Sequence, residues 1–143
     1  HDIGKLTLPE EILWKDGPLT ADEYALVQCH PRAGASLLEP IPFLRIPAIL
    51  IAHHHERWDG TGYPYGIRGR FIPLGSRILA VADTFDALTS SLSYRQCLSP
   101  ESATRLLRVV AGSQLDSDLV EVFAGLAPAM LIKISATGAS NRG

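Results

Sequence analysis

Apolar residues return at intervals of three and four along much of this chain, and nowhere do they alternate with polar ones as a half-buried strand requires. From Thr20 the text reads T-A-D-E-Y-A-L-V-Q-C-H-P-R-A-G-A-S-L-L-E. Thr20 and Glu23 form a capping box, in which hydroxyl and carboxylate each satisfy a free backbone donor at a helix start. Leu26, His30, Ala33 and Leu37 then share one face, and Pro31 is expected to bend or break the helix because it lacks a ladder N–H. This puts His30 on the inward side. Pro47 to Glu56 (P-A-I-L-I-A-H-H-H-E) reads as a second apolar helix, buried on most sides. It carries three histidines at its C-terminal end, where the helix dipole favours a cationic imidazolium.

Between Arg57 and Gly75 the helical period is lost in a stretch dense in glycine and proline, W-D-G-T-G-Y-P-Y-G-I-R-G-R-F-I-P-L-G. Loops of this length are uncommon unless functional or disordered, and the interleaved aromatic and apolar residues argue for order. Ser76 to Ser91 restores the period, with Ile78, Ala82 and Phe85 on one side and Asp83 and Asp86 a turn apart on another. Ser99-Pro100-Glu101 supplies an N-cap and a first-turn proline for a helix to about Ala111, stopped by Gly112. A short helix over 117–126 follows, and A-T-G-A-S-N-R-G reads as a frayed tail. The expected fold is all-α, with one domain over residues 1–127 and a tail over 128–143.

Composition narrows the function classes. A 143-residue chain that is 46% hydrophobic suffices for one globular core but not two independent ones. A net charge of −2 gives no broad field for a nucleic-acid polymer or a membrane surface, so an anionic ligand must be met by a local site. Cys29 and Cys97 form no CxxC pair and read as reduced thiols, which points to a cytoplasmic setting. No apolar run approaches the roughly 18 residues of a membrane span. The chain opens on His1 with no initiator Met and is expected to be a piece of a longer polypeptide.

The residue types that ligate metals are His1 with Asp2, His30, the run His53 to His55, and Asp83 with Asp86. Imidazole with carboxylate suits manganese, iron or zinc, and ligands from several helices converge readily inside a bundle. A His-Asp pair can bridge two cations, and two cations can activate a water and neutralise a phosphoryl group. Each position also has a plain explanation. A lone histidine such as His30 is more often a hydrogen-bonded core residue than a ligand, and the histidine run alone reads equally as a solvated helix end. Asp86 reads as a local hydrogen-bonder. Asp83, inside I-L-A-V-A-D, is costly to bury unless paired or bound to metal.

Taken together, His1-Asp2-Ile3-Gly4-Lys5, His30-Pro31, His54-His55-Glu56-Arg57-Trp58-Asp59-Gly60-Thr61-Gly62-Tyr63-Pro64 and Ala82-Asp83-Thr84-Phe85-Asp86-Ala87-Leu88-Thr89 resemble the HD-GYP domains of bacteria, a branch of the HD phosphohydrolases. The resemblance runs from His1 to about Leu126. It implies a helical HD-domain bundle with a long Gly/Pro-rich GYP loop, and two or three divalent metal ions, often iron or manganese. The implied activity is hydrolysis of cyclic diguanylate (cyclic di-GMP) to linear pGpG or GMP in second-messenger signalling. By position it implies His1, Asp2, His30, His54, His55 and Asp83 as metal ligands, Asp2 bridging, with His53 outside the motif and structural. Lys5 and Arg95 match phosphate-contacting positions, Asp2 and Lys5 being the catalytic pair. Asp59, Gly60, Gly62, Tyr63 and Pro64 build the GYP loop, which in the family is implicated in contacts with diguanylate cyclase (GGDEF) domains. A sensory or receiver domain is expected elsewhere in the parent.

Two departures bear on this reading. The family's ligands and helices upstream of the HD pair are absent from this chain, so weak metal binding and little activity are expected of it alone. Leu92 stands where the family carries a phosphate-contacting arginine, a loss of about 1.5–3 kcal/mol for one charge-assisted contact. The alternatives are therefore a degenerate module that binds nucleotide or a partner without turnover, or a hydrolase of another phosphoester.

Overall fold

The computed structural model describes residues 1–90 and 97–126. Every regular element among them is helical, and their β content is one isolated bridge between Ala111 and Leu115. The chain divides into two compact units, His1–Arg77 and Ile78–Gly143.

In the first unit a 3-10 helix at Ile3–Thr7 and a single turn, α1 (Glu10–Leu13), precede α2 (Ala21–Val27). Neither short element carries a periodic signal, and the sequence pattern had marked no helix before Thr20. α2 begins on the expected capping box, Thr20 Oγ1 accepting from the Glu23 backbone while Glu23 Oε2 accepts from the Thr20 backbone at 2.7 Å. It stops at Val27, and α3 (His30–Leu38) restarts after Gln28 and Cys29 with Pro31 in its first turn, where no N–H is required. The break divides the face expected to run through Leu26, His30, Ala33 and Leu37. His30 is buried, whereas Leu26, across the break, no longer shares its helical register and is exposed; Leu37, near the end of α3 itself, is exposed as well.

α3 packs on the Ile3–Thr7 turn and on α4 (Arg45–Ala52), which follows a 3-10 turn at Pro42–Leu44. The approach is close at Gly4 and Gly34: a Cβ on Gly34 would lie 3.0 Å from the Gly4 nitrogen and 3.3 Å from Ile51 Cδ1. α4 buries Ala48, Ile51 and Ala52 but exposes Ile46 and Ile49, so it is one-sided rather than buried on most sides. It also ends at Ala52, four residues before the expected Glu56. The terminal carbonyls are taken by side chains: Ser76 Oγ donates to Leu50 O at 2.8 Å and His54 Nδ1 to Ile51 O at 2.6 Å. Leu50 O also accepts the His53 backbone N–H at 3.3 Å, and the histidines follow the helix in a turn. The Gly/Pro-rich stretch is an ordered loop containing a 3-10 turn at Gly69–Phe71, with Ile72 anchored in the interior.

α5 (Leu74–Thr89) leads into the second unit, where α6 (Pro100–Val110) and helical residues 117–126 complete the described chain. Ser99 caps α6 with Pro100 in its first turn, and Gly112 stands just beyond its end at φ +80°. Val81, Leu107, Leu115 and Val120 form the core of this unit, with Phe85 edge-on to Phe123 at 4.9 Å. The buried stripe of α5 here is Val81, Phe85 and Leu88, not the expected Ile78, Ala82 and Phe85, since Ile78 and Ala82 are exposed. α5 is apolar on both of these faces, and a 3.6-residue period does not choose between them.

Candidate metal centre

Asp2, on the N-terminal side of the Ile3–Thr7 turn, reaches α3 and the end of α4. Asp2, His30, His54 and His55 each present one ligand atom, all within 4.8 Å of one another. Asp2 Oδ1 lies 3.4 Å from His30 Nε2 and 4.0 Å from His54 Nε2, and those two nitrogens are 3.4 Å apart.

The tautomers follow from the opposite edges of the rings. His30 Nδ1 lies 2.6 Å from the Val27 carbonyl and His54 Nδ1 2.6 Å from the Ile51 carbonyl. A carbonyl oxygen only accepts, so in each neutral ring Nδ1 carries the proton and Nε2 a lone pair. In those tautomers two imidazole lone pairs and a carboxylate oxygen face one another in a largely buried space. Such a donor set suits a cation, and anchoring the second imidazole nitrogen is how ligating histidines are commonly oriented. The hydrogen-bonded core role open for His30 is filled by Nδ1, while Nε2 faces the cluster.

Electrostatics agree. Burial and the neighbouring His54 and His30 push the His55 imidazole down to about 3, so it is neutral at pH 7 with a lone pair available. Burial also holds His53 below its ordinary value, against a smaller opposing effect of Glu56. Desolvation therefore outweighs the helix-end effect that favoured cationic imidazolium in the sequence. Burial would raise the Asp2 carboxyl, but the hydrogen bond and charge of Lys5, with His30 and His54, hold it below the usual range.

The other anticipated residues are placed as follows. His1 lies beside the four: its Nε2 is 3.5 Å from Asp2 Oδ2 and its ring is edge-on to His54 at 5.1 Å. Lys5 Nζ donates to Asp2 Oδ2 at 2.8 Å. Asp83 stands half-buried on α5 in the second unit. Asp86 accepts from Ser90 Oγ at 2.8 Å, a local bond of the kind expected. Arg95, and Leu92 with it, lie outside the described residues.

The GYP loop folds back on the histidine turn. Arg57 grips Asp59 through Nη2 at 2.9 Å and Nε at 3.3 Å, and its hydrogen bonds hold the Asp59 carboxyl well below the usual range. Thr61 donates to the same carboxylate from its backbone at 2.9 Å and its hydroxyl at 2.6 Å. Gly60 turns the loop at φ +83°, and the peptide between Tyr63 and Pro64 is cis. Gly62 backbone then lies directly on the chain at residues 55–57, where a Cβ would fall 2.3 Å from Arg57 N and 2.5 Å from His55 O. Tyr63 donates its backbone N–H to His55 O at 3.2 Å.

Against this geometry the comparisons are direct. The family model described as HD domain matches residues 1–119. The chain belongs to the HD-domain family. Its relatives include a cyclic di-GMP phosphodiesterase response regulator of Xanthomonas campestris pv. campestris, 42% identical over 85% of this chain and 32% of the relative. A 3'3'-cGAMP-specific phosphodiesterase of Vibrio cholerae is 42% identical over 85% of this chain and 28% of the relative. A crystal structure of a cyclic GMP-AMP specific phosphodiesterase of V. cholerae superposes with a TM-score of 0.69 at 31% identity, covering 86% of this chain and 29% of that one. This HD domain thus spans about a third or less of the relatives it matches. The likeness confirms the expected all-α HD fold. No helix of the described residues is long and apolar enough to cross a membrane.

Three contributors were not assigned a role from the sequence. The Val27 and Ile51 carbonyls fix the two rings, each three residues before its histidine, and that V-x-x-H and I-x-x-H spacing was visible. Glu56, buried beside His55, had no role beyond its place in the motif.

Proposed function

We propose that this HD domain is the catalytic module of a metal-dependent phosphodiesterase acting on cyclic dinucleotides, with cyclic diguanylate as the first substrate to test. The observation that carries the reading is the close meeting of His30 Nε2, His54 Nε2 and Asp2 Oδ1. The relatives' names support the substrate class, since they specify cyclic di-GMP or 3'3'-cGAMP. Two relatives of equal identity carry different substrate names, so the choice of base is a real second reading.

Asp2, His30, His54 and His55 would hold one divalent cation, iron or manganese by their donor types. His1 and Asp83 are the residues proposed to extend the site to two or three ions. When bound, such ions supply Lewis-acid charge and lower the pKa of a coordinated water. Lys5, partly exposed with its ammonium on Asp2, is proposed to contact a phosphate oxygen as a point charge, and Arg95 is proposed as a second phosphate contact. Hydrolysis adds water across one P–O3′ bond, leaving a 5′-phosphoryl linear dinucleotide and a free 3′ hydroxyl, with mononucleotide as a further product. Asp2 and Lys5 are the catalytic pair in this reading, with charge neutralisation and positioning contributing most.

The name "response regulator" on one relative, together with the fraction of its length matched, supports a fused receiver or sensory domain. The exposed Tyr65 and Phe71 of the loop suit contact with a diguanylate cyclase (GGDEF) domain. Exposed free thiols at Cys29 and Cys97 suit the cytoplasm.

The test is incubation with Mn(II), or with Fe(II) under anaerobic conditions, and each of the two cyclic dinucleotides, followed by chromatography for linear product. Product from either, lost in His54→Ala, supports the reading. Bound nucleotide without product in metal-loaded protein replaces it with a binding module.

A further inference from the structure

The three histidines of the cluster are not held alike. His30 and His54 are each fixed by a 2.6 Å bond from Nδ1 to a carbonyl of their own chain segment. Neither ring nitrogen of His55 has a hydrogen bond among the described residues, and three rings lie against it: His54 at 4.0 Å, His30 at 5.0 Å and Tyr63 at 4.8 Å, tilted by 30°. Tyr63 is the contact that comes from outside the cluster, and it belongs to the loop. What holds the loop there also holds the Tyr63 ring against His55.

The fastening is short. Tyr63 N–H donates to His55 O at 3.2 Å, and Gly62 allows the two backbones to touch. The next anchor is Glu56, whose side chain is fully buried and whose Oε1 accepts the Tyr65 N–H at 2.7 Å. Oε2 of the same carboxylate has no hydrogen-bond partner, and His53 Nδ1, 3.9 Å from Oε1, has none either. A buried carboxylate with one oxygen unsatisfied is costly for stability, so the bond made by its other oxygen is the one to account for. It ties the residue next to His55 across the loop to the residue two beyond Tyr63. The same tie sets Tyr65 against His53, ring to ring at 4.9 Å.

We infer that Glu56 is a positioning residue, which pins the GYP loop through the Tyr65 backbone so that the Tyr63 ring orients His55 toward the cluster. This rests on the metal reading above, and the experiment separates the two. Mn(II) affinity of the full chain is measured by the electron paramagnetic resonance signal of the free aqueous ion. The variants are Glu56→Ala, Glu56→Asp, Glu56→Gln, His55→Ala and the double variant His55→Ala/Glu56→Ala.

Loss of an outer partner of a ligating histidine typically weakens metal binding about 10–100-fold, and that range is expected for Glu56→Ala. Glu56→Asp keeps the charge but is one methylene short of the Tyr65 N–H, and it should fall alike. Glu56→Gln keeps both the acceptor and the reach, and it should remain near the parent. Because Glu56 acts through His55, the double variant should bind no more weakly than His55→Ala alone, whereas a general structural defect would multiply the two losses. Should Glu56→Ala not fold, the aspartate and glutamine variants decide the matter between them. Parent-like affinity in Glu56→Ala or Glu56→Asp, or multiplying losses in the double variant, overturns the inference. If His55→Ala itself leaves Mn(II) binding unchanged, the metal reading fails instead.

Discussion

A single methyl group added at Gly4 should do more damage to the centre than its size suggests. A Cβ there would fall 1.9 Å from the His30 carbonyl oxygen, 2.6 Å from the Gly34 nitrogen and 2.9 Å from the His30 carbonyl carbon. All three are backbone atoms of α3, so no rotamer change relieves the clash. Restoring an ordinary contact of 3.4 Å to that oxygen requires a separation of about 1.5 Å between the Ile3–Thr7 turn and α3. Asp2 is carried on that turn, tied by the Lys5 N–H to Asp2 O bond of 2.9 Å, and its Oδ1 sits 3.4 Å from His30 Nε2. Metal ligands tolerate displacements of about 0.2 Å, several times less than the clash imposes.

Gly4→Ala should therefore carry two separable losses. Overpacking of this kind costs about 1–3 kcal/mol, read as a lower melting temperature of the metal-free chain by circular dichroism. Misplacing one of four ligands should also lower Mn(II) affinity by about tenfold or more. Gly125→Ala is the control, because a Cβ there meets nothing within 4 Å and both quantities should hold. A Gly4→Ala chain that melts early but binds Mn(II) as the parent does would show that Asp2 is not located by this contact. One that melts and binds normally would refute the packing of the turn itself.

Mn(II) at about a hundred times its dissociation constant should stabilise the chain by about 2.7 kcal/mol, a gain that chelation reverses and His54→Ala abolishes; equal shifts in parent and variant would place the ion elsewhere. For pH, His55 has its folded value lowered from 6.5 to about 3, so between those values the unfolded chain binds the additional proton. Urea midpoints of the metal-free chain should fall as pH decreases through that window, and His55→Gln should flatten the slope; an unchanged slope would rule this origin out. Leu107→Ala, at a fully buried position in the second unit, should cost about 2–5 kcal/mol in urea unfolding, and a loss below 1 kcal/mol would contradict the assigned core.

Local chemistry was the part of the fold that the sequence displayed best. The capping box at Thr20, the break before Pro31 and the Ser99-Pro100 start of α6 are each decided by a few adjacent residues, and they are found where the sequence puts them. Burial was less visible, since α5 is apolar along two faces and only packing distinguishes Val81 from Ile78. The end of α4 was invisible for a related reason. The side chain that takes the Leu50 carbonyl comes from Ser76, 26 residues away, and no local window contains it.

The site shows the same division of information. Ligand types are written in the sequence, and a resemblance places them, but what makes His30 Nε2 and His54 Nε2 lone-pair donors is the proton fixed on the far side of each ring. That proton is fixed by helix ends: Val27 closes α2 and Ile51 lies in the last turn of α4, so each carbonyl is left over where a helix stops. Had α4 continued to Glu56 as its pattern suggested, the Ile51 carbonyl would have accepted the His55 backbone N–H four residues on, leaving His54 without its anchor. The early termination of α4 thus helps to build the candidate metal centre. Ser76, through the neighbouring carbonyl, is a further position outside the ligand set that bears on where α4 stops.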